Sequence, residues 1–287
     1  MYRKELLKII ENAFEEDVKE GDHTSLACIG PSAKGAARLI IKEEGVIAGI
    51  DVARMVFEYV DPLLEMETFM TDGTSVQYGD IAFNVFGSAL SILTAERVAL
   101  NIMQRMSGIA TLTSKYVKAI EGTTATVIDT RKTTPGIRIL EKAAVKIGGG
   151  GNHRMGLYDM MMIKDNHIDF CGGIEKAIEA ANSYLEHHYL DLQIEIETRN
   201  LDEVKQVLAI GNVDRIMLDN FTPLALKEAV DLIAGRYETE ASGGIKLDTI
   251  RAYAETGVQY ISSGALTHSA ISMDMSLKAM IDKSLKE

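Results

Sequence analysis

Between residues 129 and 168 the chain gathers groups suited to holding negative charge. DTRKTTPGIR (129–138) offers Arg131, Lys132 and Arg138, and GGGGNHRMGLYDMMMIKDNHI (148–168) adds His153, Arg154 and Lys164 behind four consecutive glycines. Residues 131–164 hold seven Lys/Arg against Glu141 and Asp159, a local balance of +5 in a chain of formal charge −12, so the remainder carries −17. An arginine fork grips a carboxylate or phosphate through two parallel hydrogen bonds. A lysine ending an apolar run is either a cation for substrate or a Schiff-base nucleophile, and the residues leave both open. A glycine run lets backbone N–H groups approach a ligand. A basic island in an acidic chain suits a pocket for small anions and argues against nucleic acid as the main partner.

A second set lies further along. Glu197 and Asp219 end apolar runs, where carboxylates either neutralise a basic pocket or hold Mg²⁺ and sugar hydroxyls. Ser242-Gly243-Gly244 and Ser263-Gly264 resemble the phosphate nest formed by the final loops of a barrel. Separate anion grips, an acidic pair and a phosphate nest suit transfer of a phosphosugar to an anionic acceptor.

The elements that must position these groups follow from periodicity. The first hundred residues mix an amphipathic N-terminal helix, a strand in GAARLIIKEEG, a helix in DVARMVFEYVD, strands near LEMETFM and DIAFNVFG, and a helix over 90–105. After Ser107-Gly108 a second helix is expected over 109–122. Six apolar strands then alternate with helices: TATVID, MMMIK, LQIEIET, DRIMLD, YETEAS and VQYISS. That alternation predicts a parallel sheet. Nearly every strand finishes in a charged residue, a hydroxyl or glycines, which favours a barrel whose strand ends converge on one mouth over an open sheet with a single switch point.

DTRKTTPGIR, the NHR…IKDNHI block, the E-x-E strand, LDN, SGGI and GALTHS together resemble the quinolinate phosphoribosyltransferases, in that family's order and over nearly the full chain. The resemblance implies attack of the quinolinate nitrogen on phosphoribosyl pyrophosphate, then loss of a carboxylate to give nicotinate mononucleotide for NAD synthesis. It implies an α/β fold: an incompletely closed, seven-stranded α/β barrel of TIM-like type over 108–272, with an N-terminal α/β sandwich over 1–107 joined by 273–287. Only six barrel strands are readable, and the seventh is expected near 267–275. Carried over by motif, Arg105, Arg131, His153, Arg154 and Lys164 surround the quinolinate carboxylates. Lys132, Glu197, Asp219, Ser242, Gly243, Gly244, Ser263, Gly264 and His268 serve the phosphoribosyl side. Lys132, Lys164, Glu197 and Asp219 carry the catalysis, and Glu197 and Asp219 hold Mg²⁺, directly or through water. A homodimer is implied, with Arg105 reaching the neighbouring subunit's site.

No run approaches the eighteen or so apolar residues of a membrane span. The N-terminal stretch is too charged for a secretory signal, and Cys28 and Cys171 stand apart, as reduced thiols do in a cytoplasmic protein. Competing classes are a related phosphoribosyltransferase (a nicotinate-type or molybdenum-transport-associated paralogue), an aldolase using Lys164 as a Schiff base, and a non-enzymatic anion sensor. The complete NHR block with IKDNH disfavours the first.

Overall fold

The computed structural model describes residues 3–280, and the chain divides into two compact units. One takes in residues 3–114, 134–149 and 269–280; the other 115–133 and 150–268. Among the described residues no helix is long and apolar enough to cross a membrane.

The first unit begins with α1 (Arg3–Asp17), α2 (His23–Cys28), β1 (Lys34–Ile41), β2 (Gly45–Val46), α3 (Ile50–Val60), β3 (Glu65–Thr68), β4 (Ser75–Val76) and β5 (Ile81–Ser88). Strand β5 runs directly into α4 (Ala89–Ala119), whose last residues belong to the second unit. In β1 the period of two turns Ala37, Leu39 and Ile41 inward. They pack with Ile10, Phe14, Phe57, Phe83 and Met103, where Phe57 and Phe83 meet edge-on at 6.0 Å.

Two helices were expected where α4 is one, and Ser107-Gly108 is not a break. The hydroxyl of Ser107 accepts from the Ala48 amide at 2.8 Å and donates to the Ala48 carbonyl at 3.1 Å. A methyl carbon on Gly108 would lie 2.0 Å from the Ile271 carbonyl oxygen, so glycine here permits a close backbone approach. A mid-helix glycine costs about 1 kcal/mol against alanine, and tertiary packing overrides it here. We therefore expect Gly108→Ala to destabilise by about 2 kcal/mol or more, since main chain must move. Gly30→Ala, whose methyl would meet nothing within 4 Å, is the control in thermal unfolding. Equal melting temperatures for the two variants would refute the close approach.

The second unit carries β6 (Thr126–Ile128). The next element, α5 (Arg138–Ile147), was expected in the barrel but clusters with the first unit. There Glu141 is fully buried against Arg105 and Thr134, and a methyl on Gly148 would lie 2.4 Å from the Ala110 carbonyl oxygen. The second unit resumes with β7 (Met161–Ile163), α6 (Asp165–Cys171), α7 (Ile174–His188), β8 (Ile194–Thr198), α8 (Leu201–Ile210), β9 (Arg215–Asp219), α9 (Pro223–Ile233), β10 (Glu238–Ser242), α10 (Ile250–Ala254), β11 (Tyr260–Ser262) and α11 (Ala265–His268).

Its six strands form one parallel sheet in the order β6-β11-β10-β9-β8-β7. Helices cover strands such as β8, whose five residues are all buried, as parallel sheets require. The first strand, β6, thus pairs with the last, β11. On its other side Ile128 forms an isolated parallel bridge with Gly151. Among the described residues no strand of this sheet lies near 267–275, where a seventh was expected. Residues 265–268 are helical, and β12 (Met275–Ala279) leaves for the first unit. There it pairs antiparallel with β1, Leu277 opposite Leu39, completing the sheet order β12-β1-β5-β3. Residues 281–287 of the segment expected to join it lie outside the described residues.

Candidate active site

Parallel strands place all their C-terminal ends along one edge of the sheet. That edge carries Asp129 to Lys132 after β6, Lys164 after β7, Glu197 on β8, Asp219 at the end of β9, Ser242 to Gly244 from β10, and Ser263 and Gly264 after β11. Chemistry-bearing residues from six strands therefore line one edge of the second unit's sheet.

The basic arm is fastened at several points. Asn152 Nδ2 donates to Asp129 Oδ2 at 2.6 Å, and the His153 amide donates to Asp129 Oδ1 at 2.9 Å. The Arg154 amide donates to His153 Nδ1 at 2.7 Å, and Arg154 Nη1 donates to the Met160 carbonyl at 3.1 Å, so the side chain reaches across to the approach of β7. Burial first, then repulsion from Arg131, pulls the proton affinity of Arg154 below its ordinary value. Two guanidinium groups lie close enough to oppose each other's charge, an arrangement that an anion relieves. The run of glycines has a narrower role than a mobile loop: Gly151 forms the bridge to Ile128, and a methyl there would lie 2.9 Å from Ile128 Cγ2.

Lys164 Nζ lies 3.0 Å from Glu197 Oε2, an ion pair across the ends of β7 and β8. A Schiff-base nucleophile must be a neutral amine, so this pairing favours the cation. Asp219 accepts a hydrogen bond from the side chain of Asn220.

His153, expected at the quinolinate carboxylates, is buried, with Nε2 2.9 Å from Glu195 Oε2 and 3.3 Å from Glu240 Oε2. Arg215 Nη1 is 3.2 Å from the same Glu240 oxygen, and Arg215 Nη2 is 2.8 Å from Glu238. Burial alone would lower the affinity of His153 for a proton, but the Glu195 and then the Glu240 carboxylate beside Nε2 outweigh it and raise it to about 9. Glu195 rises to about 7, through burial and then the charge of Glu240. The Arg154 amide points at Nδ1, and Nε2 faces the two carboxylates.

The final loops suit phosphate. Gly243 and Gly244 take φ of 99° and 62°, and a methyl on Gly243 would lie 2.3 Å from Asn220 Oδ1. Thr267 Oγ1 donates to the Lys132 carbonyl at 2.8 Å, and a methyl on Gly264 would lie 2.9 Å from Lys132 Cδ and 3.1 Å from His268 Cδ2. Gly264→Ala should push aside both side chains while leaving the fold intact, because the obstructing atoms are flexible. The expected result is phosphosugar affinity weaker by roughly tenfold, the equivalent of one hydrogen bond, at nearly unchanged melting temperature. Unchanged affinity would remove Lys132 and His268 from the phosphate side.

Arg105 belongs to the first unit. Its Nε and Nη2 donate to Glu141 Oε1 at 2.9 and 2.7 Å, and Nη1 donates to the Ala270 carbonyl at 2.8 Å. Glu141 Oε2 also accepts from the Thr134 amide at 3.0 Å. Sequence reasoning passed over Asp129, Asn152, Glu141, Arg215 and Glu240. Period-two spacing gave one signal, putting Glu195 on the same face of β8 as Glu197.

Residues 22–107 match the model of the quinolinate phosphoribosyl transferase N-terminal domain, and 109–278 match that of its C-terminal domain. The chain belongs to that family. It is 49% identical over 289 residues to quinolinate phosphoribosyltransferase [decarboxylating] 1b of Nicotiana tabacum, covering 96% of this chain and 82% of the relative. It is 40% identical over 277 residues to the Bacillus subtilis "Probable nicotinate-nucleotide pyrophosphorylase [carboxylating]", covering 96% and 94%. The crystal structure of NadC from Streptococcus pyogenes superposes with a TM-score of 0.93 at 39% identity, over 98% of this chain and 99% of that one. Like these phosphoribosyltransferases, the chain pairs a small-sheet N-terminal unit with a parallel-sheet unit.

Proposed function

We propose that this chain transfers the phosphoribosyl group of phosphoribosyl pyrophosphate to quinolinate and decarboxylates the adduct to nicotinate mononucleotide, a step of NAD synthesis. The observation that carries the reading is the row of strand ends along one edge of the parallel sheet, bearing Arg131-Lys132, Lys164, Glu197 and Asp219, with Arg131 close enough to Arg154 to oppose its charge. A dianionic acceptor relieves that crowding. Lys132, Ser242, Gly243, Gly244, Ser263, Gly264 and His268 take the phosphoribosyl side. The pyridine nitrogen attacks the anomeric carbon with its own lone pair and pyrophosphate departs, so no strong general base is required. The protein contributes positioning and fixed charge. When the 2-carboxylate leaves as CO₂, its electron pair stays on the ring carbon beside the quaternised nitrogen, and a proton from solvent water completes the C–H bond of the product.

Glu197 and Asp219 present oxygen ligands from neighbouring strands, and two carboxylates plus substrate phosphates are a set that Mg²⁺ commonly uses. The donors fit. When bound there, the ion would offset the charge of the departing pyrophosphate. Asp219→Asn should impair turnover and phosphoribosyl pyrophosphate binding while calorimetry finds quinolinate affinity nearly unchanged. Glu197→Gln is the less clean variant, because Glu197 also holds Lys164. Quinolinate affinity collapsing in Asp219→Asn, with phosphoribosyl pyrophosphate affinity intact, would refute the assignment.

The same reading includes an incompletely closed, seven-stave α/β barrel, supported by the pairing of β6 with β11 and the Gly151 bridge, and a homodimer in which Arg105 serves the neighbouring site. The free Cys28 and Cys171 accord with a cytoplasmic enzyme. The deciding assay supplies quinolinate, phosphoribosyl pyrophosphate and Mg²⁺ and follows nicotinate mononucleotide and CO₂. Absence of both products from folded protein would reject the proposal.

A further inference from the structure

Arg131 opposes the charge of Arg154, so something must hold together the two segments that carry them. The segment of Arg131 follows β6, which is fixed by its pairing with β11, Ile128 opposite Ser262. The segment of Arg154 is joined to β6 first by backbone. The Gly151 amide donates to the Val127 carbonyl at 2.8 Å, and the Gly151 carbonyl accepts from the Asp129 amide at 3.2 Å. At Asn152 and His153 the same strand end reaches across with a side chain. Asp129 Oδ2 accepts from Asn152 Nδ2 at 2.6 Å, and Oδ1 accepts from the His153 amide at 2.9 Å. Asp129 is 0% exposed, so its carboxylate acts on the segment it holds and not on substrate. A buried carboxylate is tolerable only where such donors surround it.

We propose that Asp129 is a positioning residue for the acceptor site: its buried carboxylate clasps the segment bearing Arg154 to the strand end that leads into Arg131, and so sets the spacing of the two guanidinium groups. The proposal deepens the assignment of both arginines to quinolinate and rests on it. Few bonds separate the clasp from either cation. Asp129 stands two residues before Arg131, and Arg154 directly follows the His153 amide that the clasp holds. At its far end Arg154 is tied to the Met160 carbonyl at 3.1 Å. Both groups that reach Asp129 are donors, and a carboxylate alone accepts on both of its oxygens. With the clasp open, repulsion would displace the segment of Arg154, because β6 stays paired with β11. The phosphoribosyl side should be spared, since Thr267 Oγ1 independently holds the Lys132 carbonyl at 2.8 Å.

Asn152→Asp sets a second carboxylate against Asp129 and breaks one arm of the clasp. The KM for quinolinate should rise roughly tenfold or more, as for a lost hydrogen bond, while the KM for phosphoribosyl pyrophosphate stays unchanged. Asn152→Ala, which deletes the donor without adding charge, should show the same split, and it serves if the aspartate variant does not fold. Adding Asp129→Asn to Asn152→Asp exchanges donor and acceptor, and leaves an oxygen for the His153 amide. That double variant should recover most of the quinolinate KM. An unmoved quinolinate KM, both KM values rising together, or no recovery in the double variant overturns the proposal. One readout needs no substrate. Hydrogen exchange followed by mass spectrometry should find residues 151–156 exchanging roughly tenfold faster in Asn152→Asp and slow again in the double variant. Unchanged exchange in the single variant overturns the clasp whatever the turnover. If wild type does not turn over quinolinate at all, the functional reading fails, while exchange still decides whether Asp129 holds the segment.

Discussion

An Arg154→Ala enzyme is expected to lose quinolinate affinity by a factor on the order of 10²–10³. The pocket proposed for a dianion holds Arg131, Arg154 and Lys164. Arg154 is half-buried, and a bound dianion would bury its charge pair further; removing one member of such a buried pair costs roughly 3–5 kcal/mol, and about 1.4 kcal/mol corresponds to tenfold. The same arithmetic predicts that wild type discriminates against nicotinate, whose single carboxylate leaves a cation unmatched, and that Arg154→Ala narrows the gap. Arg154→Lys should not restore wild-type behaviour. An ammonium lacks the planar fork, and here one arm of that fork is held by the Met160 carbonyl. Titration calorimetry with the two acids decides the matter. A wild type that uses nicotinate as well as quinolinate, or a lysine variant equal to wild type, would refute this account of the pocket.

Mixing two inactive proteins, Arg105→Ala and Lys164→Ala, should restore activity if sites are shared between subunits. Random exchange makes half the dimers hybrid, each with one intact site of two, so recovery approaches roughly a quarter of the wild-type rate. Arg105 enters this experiment already held within its own chain by Glu141 and the Ala270 carbonyl. Demonstrated subunit exchange with no recovery of turnover would rule out the shared site.

The strand ends were legible because a parallel sheet imposes a simple rule. Apolar runs finish at one edge, and Lys164, Glu197, Asp219 and Ser242 could be assigned to it from pattern alone. What stayed hidden depended on distant partners. The continuity of α4 through Gly108 is explained by the Ile271 backbone, far along the chain. The pairing of Gly151 with Ile128 was hidden because a single-residue bridge has no periodicity. Nothing in NHR reveals that the Glu195 and Glu240 carboxylates lie beside the His153 ring. The helix after DTRKTTPG was visible as a helix. Its membership of the first unit was not, because the buried contact of Glu141 with Arg105 is a tertiary fact.

The sheet of the first unit is finished by a strand that the ribosome makes late. β12 pairs along β1, from Ala37 opposite Ala279 to Ile41 opposite Met275, yet begins over two hundred residues after β1 ends. At about 5–20 residues per second, that edge of β1 waits for on the order of ten to fifty seconds during synthesis with its backbone groups unpaired. Throughout that interval the nascent chain offers other strands a template. A chain terminated before residue 275 would keep that edge for its lifetime, so late premature stop codons should yield aggregates in vivo even though every residue of the parallel-sheet unit has been translated.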